Sequence, residues 1–289
     1  MKTERATPEG KSSPGVWVGD ALVAPDEAAV SVFDHGLVTG DGCFEVLMAR
    51  PGEVFALEPH MERLARSAAA MGIPVPTPGR VEAAIMAVAG TVREESILRV
   101  TWTAGRGPLS SARLDSEPTL VVAAQPLGNR APSAEIAVVP WTRNPTGALS
   151  GVKSTSYGEN VRALDYARSH GAGEALFLNT QGRVCEGTGS NIFVVSGDQV
   201  LTPPLSEGCL AGITRLLLIA VKQVTERPIS QRELLDCNEA FLTSTTRGVQ
   251  PISAIDGRAL GTGPTTQSCI AAFSAIYDDP VMWSGKPGA

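Results

Sequence analysis

Apolar residues in this chain come in short bursts of two alternating kinds, and that alternation restricts the fold more than any single motif. Val16 to Val18 and Ala21 to Ala24 read as a hairpin around Gly19-Asp20, and Cys43 to Ala49 with Val54 to Leu57 as a second strand pair across Pro51-Gly52. Met61, Leu64, Ala65, Ala68 and Met71 then recur at helical spacing up to Gly72. A second helix is expected over Arg80 to Val92, and strands over Leu98 to Thr103 and Thr119 to Ala124. After the Gly/Pro-bearing stretch 128–134 the pattern resumes. Strands are expected at Glu135 to Val139, on either side of Asn179 to Gly182, at Asn191 to Val195 and at Glu239 to Thr243; helices at Glu159 to Ser169, 211/212 to Gln223 and Pro264 to Tyr277. Strands and helices mixed throughout, without an internal repeat, predict an α/β (α+β) protein. The 289 residues suit about two domains at ~150 residues each. The expected division is a disordered tail over 1–14, a smaller domain over 15–127, a linker over 128–134 and a larger domain over 135–289.

Composition removes several functions. Twenty-four basic residues against 30 acidic give a net charge of −6, with no Lys/Arg block to neutralise a run of phosphates, so nucleic acid is not an expected partner. No stretch approaches the ~18 apolar residues of a membrane span, and Met1 to Pro14 lacks an apolar signal core. The five cysteines are an odd number without a C-x-x-C pair, which predicts reduced thiols and a cytoplasmic location. Three histidines at unrelated spacings leave no multi-histidine metal site, and no metal is expected.

Four segments could carry chemistry. Asp34 to Glu45 sets three glycines among acidic and imidazole side chains, so backbone can approach a ligand closely; a Gly-rich turn is the plainer reading. Lys153 lies among small and apolar neighbours, where desolvation would lower its pKa and make it an amine nucleophile, although most lysines are simply solvated. Glu186 leads Gly187-Thr188-Gly189-Ser190-Asn191-Ile192-Phe193; it could hold a cationic ring nitrogen in a dry pocket, or merely occupy a turn. Gly208 to Arg215 at a helix start and Leu242 to Gly248 after a strand could bind a phosphate monoester through free N–H groups and hydroxyls, or be an ordinary helix start and turn.

Taken in order from about Val16 to Ile255, these segments resemble the class IV aminotransferase superfamily, the pyridoxal 5'-phosphate enzymes of fold type IV. That group includes branched-chain and D-amino-acid aminotransferases and aminodeoxychorismate lyases. The strongest match is Glu186-Gly-Thr-Gly-Ser-Asn-Ile-Phe, 33 residues after Lys153. The resemblance implies a two-domain fold of the D-amino-acid aminotransferase type with the cofactor in the interdomain cleft, usually in a homodimer whose partner contributes to the substrate pocket. It implies that Lys153 forms the internal aldimine and carries the proton, and that Glu186 pairs with the pyridine nitrogen. Arg63, Ile213, Thr214, Ser244 and Thr245 would hold the phosphate, and Phe44, Thr39, Tyr157 and Arg106 would line the substrate pocket.

The sequence also departs from its relatives. Thr39 stands where many carry Tyr or Phe, Tyr157 comes one residue early for the branched-chain pattern, and the stretch Thr103 to Arg113 lacks the Arg-x-His carboxylate trap of bacterial D-amino-acid enzymes, although Arg106 or Arg113 could bind a carboxylate differently. The expected activity is transfer of an amino group between an amino acid or amine and a 2-oxo acid. The alternatives are a 4-amino-4-deoxychorismate lyase, releasing pyruvate and 4-aminobenzoate, and a non-catalytic relative of the same fold.

Overall fold

The computed structural model describes residues 14–284, and residues 1–13, nearly all of the expected tail, lie outside the described residues. The first part of the chain forms strands β1 (Val16–Val18), β2 (Ala21–Val23), β3 (Gly42–Arg50), β4 (Glu53–Phe55), β5 (Ser96–Thr103) and β6 (Thr119–Pro126), with helices α1 (His35–Val38), α2 (Leu57–Ala70) and α3 (Pro78–Ala89). The second part forms β7 (Ala134–Arg143), α4 (Gly158–Ser169), β8 (Glu174–Asn179), β9 (Val184–Gly187), β10 (Asn191–Ser196), β11 (Gln199–Thr202), α5 (Ile213–Val221), β12 (Val224–Glu226), α6 (Gln231–Asp236), β13 (Glu239–Ser244), β14 (Gly248–Ile255), β15 (Arg258–Ala259), α7 (Pro264–Asp278) and β16 (Trp283–Ser284).

Two sheets result. The first runs β16-β4-β3-β5-β6-β1-β2 and is antiparallel throughout. Period-two alternation puts Cys43, Leu47, Leu98, Val100 and Trp102 on the face covered by α2 and α3, where they pack with Leu64, Ala68, Ile85 and Val88. Glu45 shares that face, while Phe44 and Met48 point the other way. The second sheet runs β12-β11-β10-β13-β14-β7-β8-β9, with β15 pairing β14, and is mixed: β7 lies parallel to both β8 and β14. Helix α4 crosses between β7 and β8, and its Ala163 and Ala167 pack against Ala137, Ala175 and Phe177. A third apolar cluster joins the sheets, bringing Met48, Phe55 and Trp283 against Phe193, Leu218, Phe241 and Phe273.

Several short elements, α1, β11, β12 and α6 among them, were not expected, and two further departures bear on how the sheets are built. Residues 248–255 form a strand although Pro251, which cannot donate to a ladder, argues against one; the β14 pairing with β7 is irregular just beyond it, between Ile252 and Ala254. The chain end also leaves the expected 135–289 unit: Trp283 and Ser284 pair with Phe55 and Val54 at the edge of the first sheet. The adjacent Met282 carbonyl accepts from the N–H of Ala56, a left-handed residue at φ 50° that starts α2. Burying the Trp283 indole explains this return. Among the described residues no helix is long and apolar enough to cross a membrane, and no group of His, Cys, Asp or Glu could hold a metal ion.

Candidate active site

A cavity of about 570 Å³ opens between the loop after β7, the turn after β9 and the N-terminus of α5. Backbone contacts place Lys153 in it. The Phe44 N–H donates to the Lys153 carbonyl at 2.9 Å, and the Thr155 N–H donates to Gly42 O at 2.8 Å. The approach is close enough that a Cβ on Gly40, at φ +72°, would lie 2.6 Å from Ser156 Oγ, and one on Gly42 would lie 3.0 Å from Trp102 O. The Lys153 ammonium stands 4.4 Å from the centroid of the Phe44 ring, and Tyr157 meets that ring edge-on at 5.2 Å. Burial, then the nearby Arg63 charge, brings the Lys153 amine down to about 8, so about a tenth of it is neutral at pH 7, far more than for an ordinary lysine.

Glu186 ends the β9 hairpin with its carboxylate in the same cavity. Its Oε2 accepts from the Leu210 N–H at 2.9 Å, and Arg143 Nε lies 4.0 Å from Oε1. Burial pushes the Glu186 carboxyl up, while the Leu210 N–H, Arg143 and Lys153 oppose that rise. Arg143 is held by Glu159 at 3.1 Å and Asn160 at 3.2 Å, with its guanidinium over Phe177. The loop after Glu186 rests on buried Glu174, which accepts from Thr188 N, the Thr188 and Ser190 hydroxyls and Arg247.

Helix α5 begins at Gly212 with no side-chain cap, which leaves the first N–H groups of the helix aimed at the cavity beside Ser244 and Thr245. A Cβ on Gly212 would collide with Asn191 Oδ1, so any other residue there has to displace the Asn191 side chain. Arg63 comes in from α2. Its Nε and Nη2 donate to Glu45 at 2.8 and 2.7 Å, and its Nη1 donates to the Ala211 carbonyl at 2.9 Å. Burial alone would raise the Glu45 carboxyl, but the Arg63 charge and the hydrogen bonds from Arg63 and His60 outweigh it and hold the group at about 2.

Eight residues singled out from the sequence therefore line one cavity: Arg63, Lys153, Tyr157, Glu186, Ile213, Thr214, Ser244 and Thr245. Phe44 stands directly behind Lys153. Thr39 and Arg106, expected in the substrate pocket, do not line this cavity. Both are exposed; the Thr39 hydroxyl caps α1 on His35 O, and the Arg106 backbone pairs with that of Asp34 in a single antiparallel β-bridge. The resemblance also implies that Gly40 to Glu45 line the pocket, but none of these residues lines this cavity; His60, Arg143 and Arg99 carried no assigned role, and Glu45 none beyond that segment. Glu45 and His60 were legible only as a strand alternation and an i, i+3 partner of Arg63. Arg143 and Arg99, whose guanidinium sits 3.7 Å from the Phe44 ring centroid, gave no local signal.

Residues 42–255 match the model of the amino-transferase class IV family. A putative branched-chain-amino-acid aminotransferase of Methanocaldococcus jannaschii is 35% identical over 263 residues, 85% of this chain and 89% of that protein. A bifunctional aminodeoxychorismate lyase / D-amino acid transaminase of Mycobacterium tuberculosis is 28% identical, over 92% of this chain and 98% of that protein. The branched-chain aminotransferase of Thermoproteus uzoniensis, solved with norvaline, superposes with a TM-score of 0.86 at 32% identity, covering 93% of this chain and 97% of that one. With most of the chain matched in sequence and in fold, this protein belongs to the class IV aminotransferases.

Proposed function

We propose that this class IV aminotransferase exchanges an amino group between an α-amino acid and a 2-oxo acid at Lys153, with pyridoxal 5'-phosphate in the 570 Å³ cavity. The observation that carries this reading is one cavity holding a desolvated amine, a single buried carboxylate and an uncapped helix start. The donor set fits the cofactor: the buried Thr243 Oγ1 and Arg143 Nε have no hydrogen-bond partner among the described residues, and both residues line the cavity. When bound, the cofactor supplies an aldehyde carbon to take the amino group and a ring to accept electrons from the substrate α-carbon.

The chain's own residues do the rest. Arg63, the N–H groups of Ile213 and Thr214, and the hydroxyls of Ser244 and Thr245 hold the phosphate. Glu186 keeps a proton on the ring nitrogen, its ionised form supported by the Leu210 N–H and Arg143. Lys153, with an amine at about 8, is the base that would take the proton from the substrate α-carbon and give it back once the cofactor is bound. Phe44 and Tyr157 pack beside that path and limit water, and Arg99 over Phe44 offers a cation for a substrate carboxylate.

The same reading makes 15–127, with Trp283 and Ser284 added at its sheet edge, and 135–282 two domains about the cleft, and the protein a cytoplasmic homodimer. Five buried free cysteines support a reducing compartment. Val32, Phe33, Leu37 and Leu109 are exposed apolar side chains close in the chain to Thr39 and Arg106, which supports a partner cavity as the place where Thr39 and Arg106 act. The bifunctional Mycobacterium relative supports a second reading, aminodeoxychorismate lyase. Absorbance of the purified protein during titration with L- and D-amino acids tests both. Conversion of the bound cofactor to its pyridoxamine form by one amino acid, reversed by a 2-oxo acid, is expected. No conversion, with pyruvate and 4-aminobenzoate released from aminodeoxychorismate, identifies the lyase; failure to take up the cofactor refutes both.

A further inference from the structure

We propose that Glu45, backed by His60, is a positioning residue for phosphate recognition: it fixes the Arg63 guanidinium so that one edge faces the first turn of α5. The inference rests on reading the cavity as a pyridoxal phosphate site. Glu45 is fully buried, and all three hydrogen bonds it accepts come from α2: Arg63 Nε to Oε1, Arg63 Nη2 to Oε2, and His60 Nδ1 to Oε2 at 2.7 Å. His60 and Arg63 sit one helical turn apart, so a single carboxylate spans both.

Of the five guanidinium hydrogens, Glu45 takes two and Ala211 O one. The Ala211 bond ties Nη1 to the residue just before Gly212, leaving one Nη1 and one Nη2 hydrogen for a ligand. Glu45 also cancels the Arg63 charge. Arg63 therefore acts by orientation more than by net charge: a fixed planar donor discriminates a phosphate by geometry, whereas a free guanidinium on a long side chain would first have to be ordered. Removing the Glu45 charge would strengthen Coulombic attraction for an anion and weaken orientation, and these opposing effects give the proposal a sign that can fail.

The test compares the full chain with its Glu45→Gln variant for binding of pyridoxal 5'-phosphate and of pyridoxal, which lacks the phosphate, with inorganic phosphate as competitor. The wild-type protein is expected to prefer the phosphorylated form. In Glu45→Gln, affinity for that form is expected to fall about tenfold to a hundredfold, the range for losing hydrogen bonds to a charged group, with pyridoxal binding unchanged. Should Glu45→Gln fail to fold, His60→Leu, which withdraws one bond from Glu45 and leaves Arg63 in place, is expected to lower the same ratio by roughly threefold to tenfold. An unchanged ratio, an equal loss for both ligands, or tighter phosphate binding overturns the proposal. A wild-type protein with no preference for the phosphorylated form refutes the cofactor reading itself, and the proposal with it.

Discussion

Replacing Lys153 with methionine is expected to stabilise the cofactor-free protein while abolishing its activity. In the unfolded chain this amine titrates near 10.5; in the folded chain burial and Arg63 bring it to about 8. Because the folded state holds this proton less tightly, the folded protein carries a penalty at every pH below about 8, worth about 3 kcal/mol in full. Between about 8 and 10.5 the unfolded chain binds more protons than the folded one, so stability rises with pH and the penalty fades, to under about 0.5 kcal/mol above 10.5. Methionine matches lysine in length and carries no charge, so Lys153→Met should gain up to about 3 kcal/mol at pH 7 and almost nothing at the alkaline end. Urea unfolding of both proteins, followed by tryptophan fluorescence at pH 7 and again near 10, measures the difference directly, since all other titrations are shared. A variant less stable than wild type at pH 7, or a difference that does not change with pH, would refute the reasoning.

Glu186→Gln keeps the side-chain volume but cannot hold a proton on a ring nitrogen; amino transfer should slow by about a hundredfold to a thousandfold while cofactor binding changes little, and a rate near wild type would contradict the assigned role. Gly212→Ala drives a Cβ into Asn191 Oδ1 and disturbs the Asn191–Leu210 bond of 2.8 Å; a cost of about 1–3 kcal/mol in thermal unfolding should accompany weaker cofactor retention. Trp283→Ala empties a site where the indole is 1% exposed between Phe55 and Tyr277; calorimetry should record a loss of about 3–5 kcal/mol, and a loss under about 1 kcal/mol would show that the chain end does not hold the sheets together.

Local chemistry along the chain determined the element types and the main donors of the candidate site. The periods of two and 3.6 separate strands from helices because burial on one face repeats with the geometry of each element, and they located most elements to within a few residues. Lys153, Glu186 and the glycine-bearing start of α5 were legible because their roles require particular residue types next to particular backbone: an amine among small residues, a carboxylate at a strand end, an uncapped helix. The tertiary structure alone decided what faces what. Glu45 lies next to Phe44 in sequence, yet pleating sends Phe44 toward Lys153 and Glu45 under α2 to Arg63. Arg143 reaches the neighbourhood of Glu186 only through the irregular pairing of β7 with β8, and Trp283 returns to the first sheet only because an apolar surface waits there. Thr39 and Arg106 show the converse, since a motif position does not say which surface a loop presents. Long-range pairing depends on summed burial over both sheets, a quantity no local stretch of sequence contains.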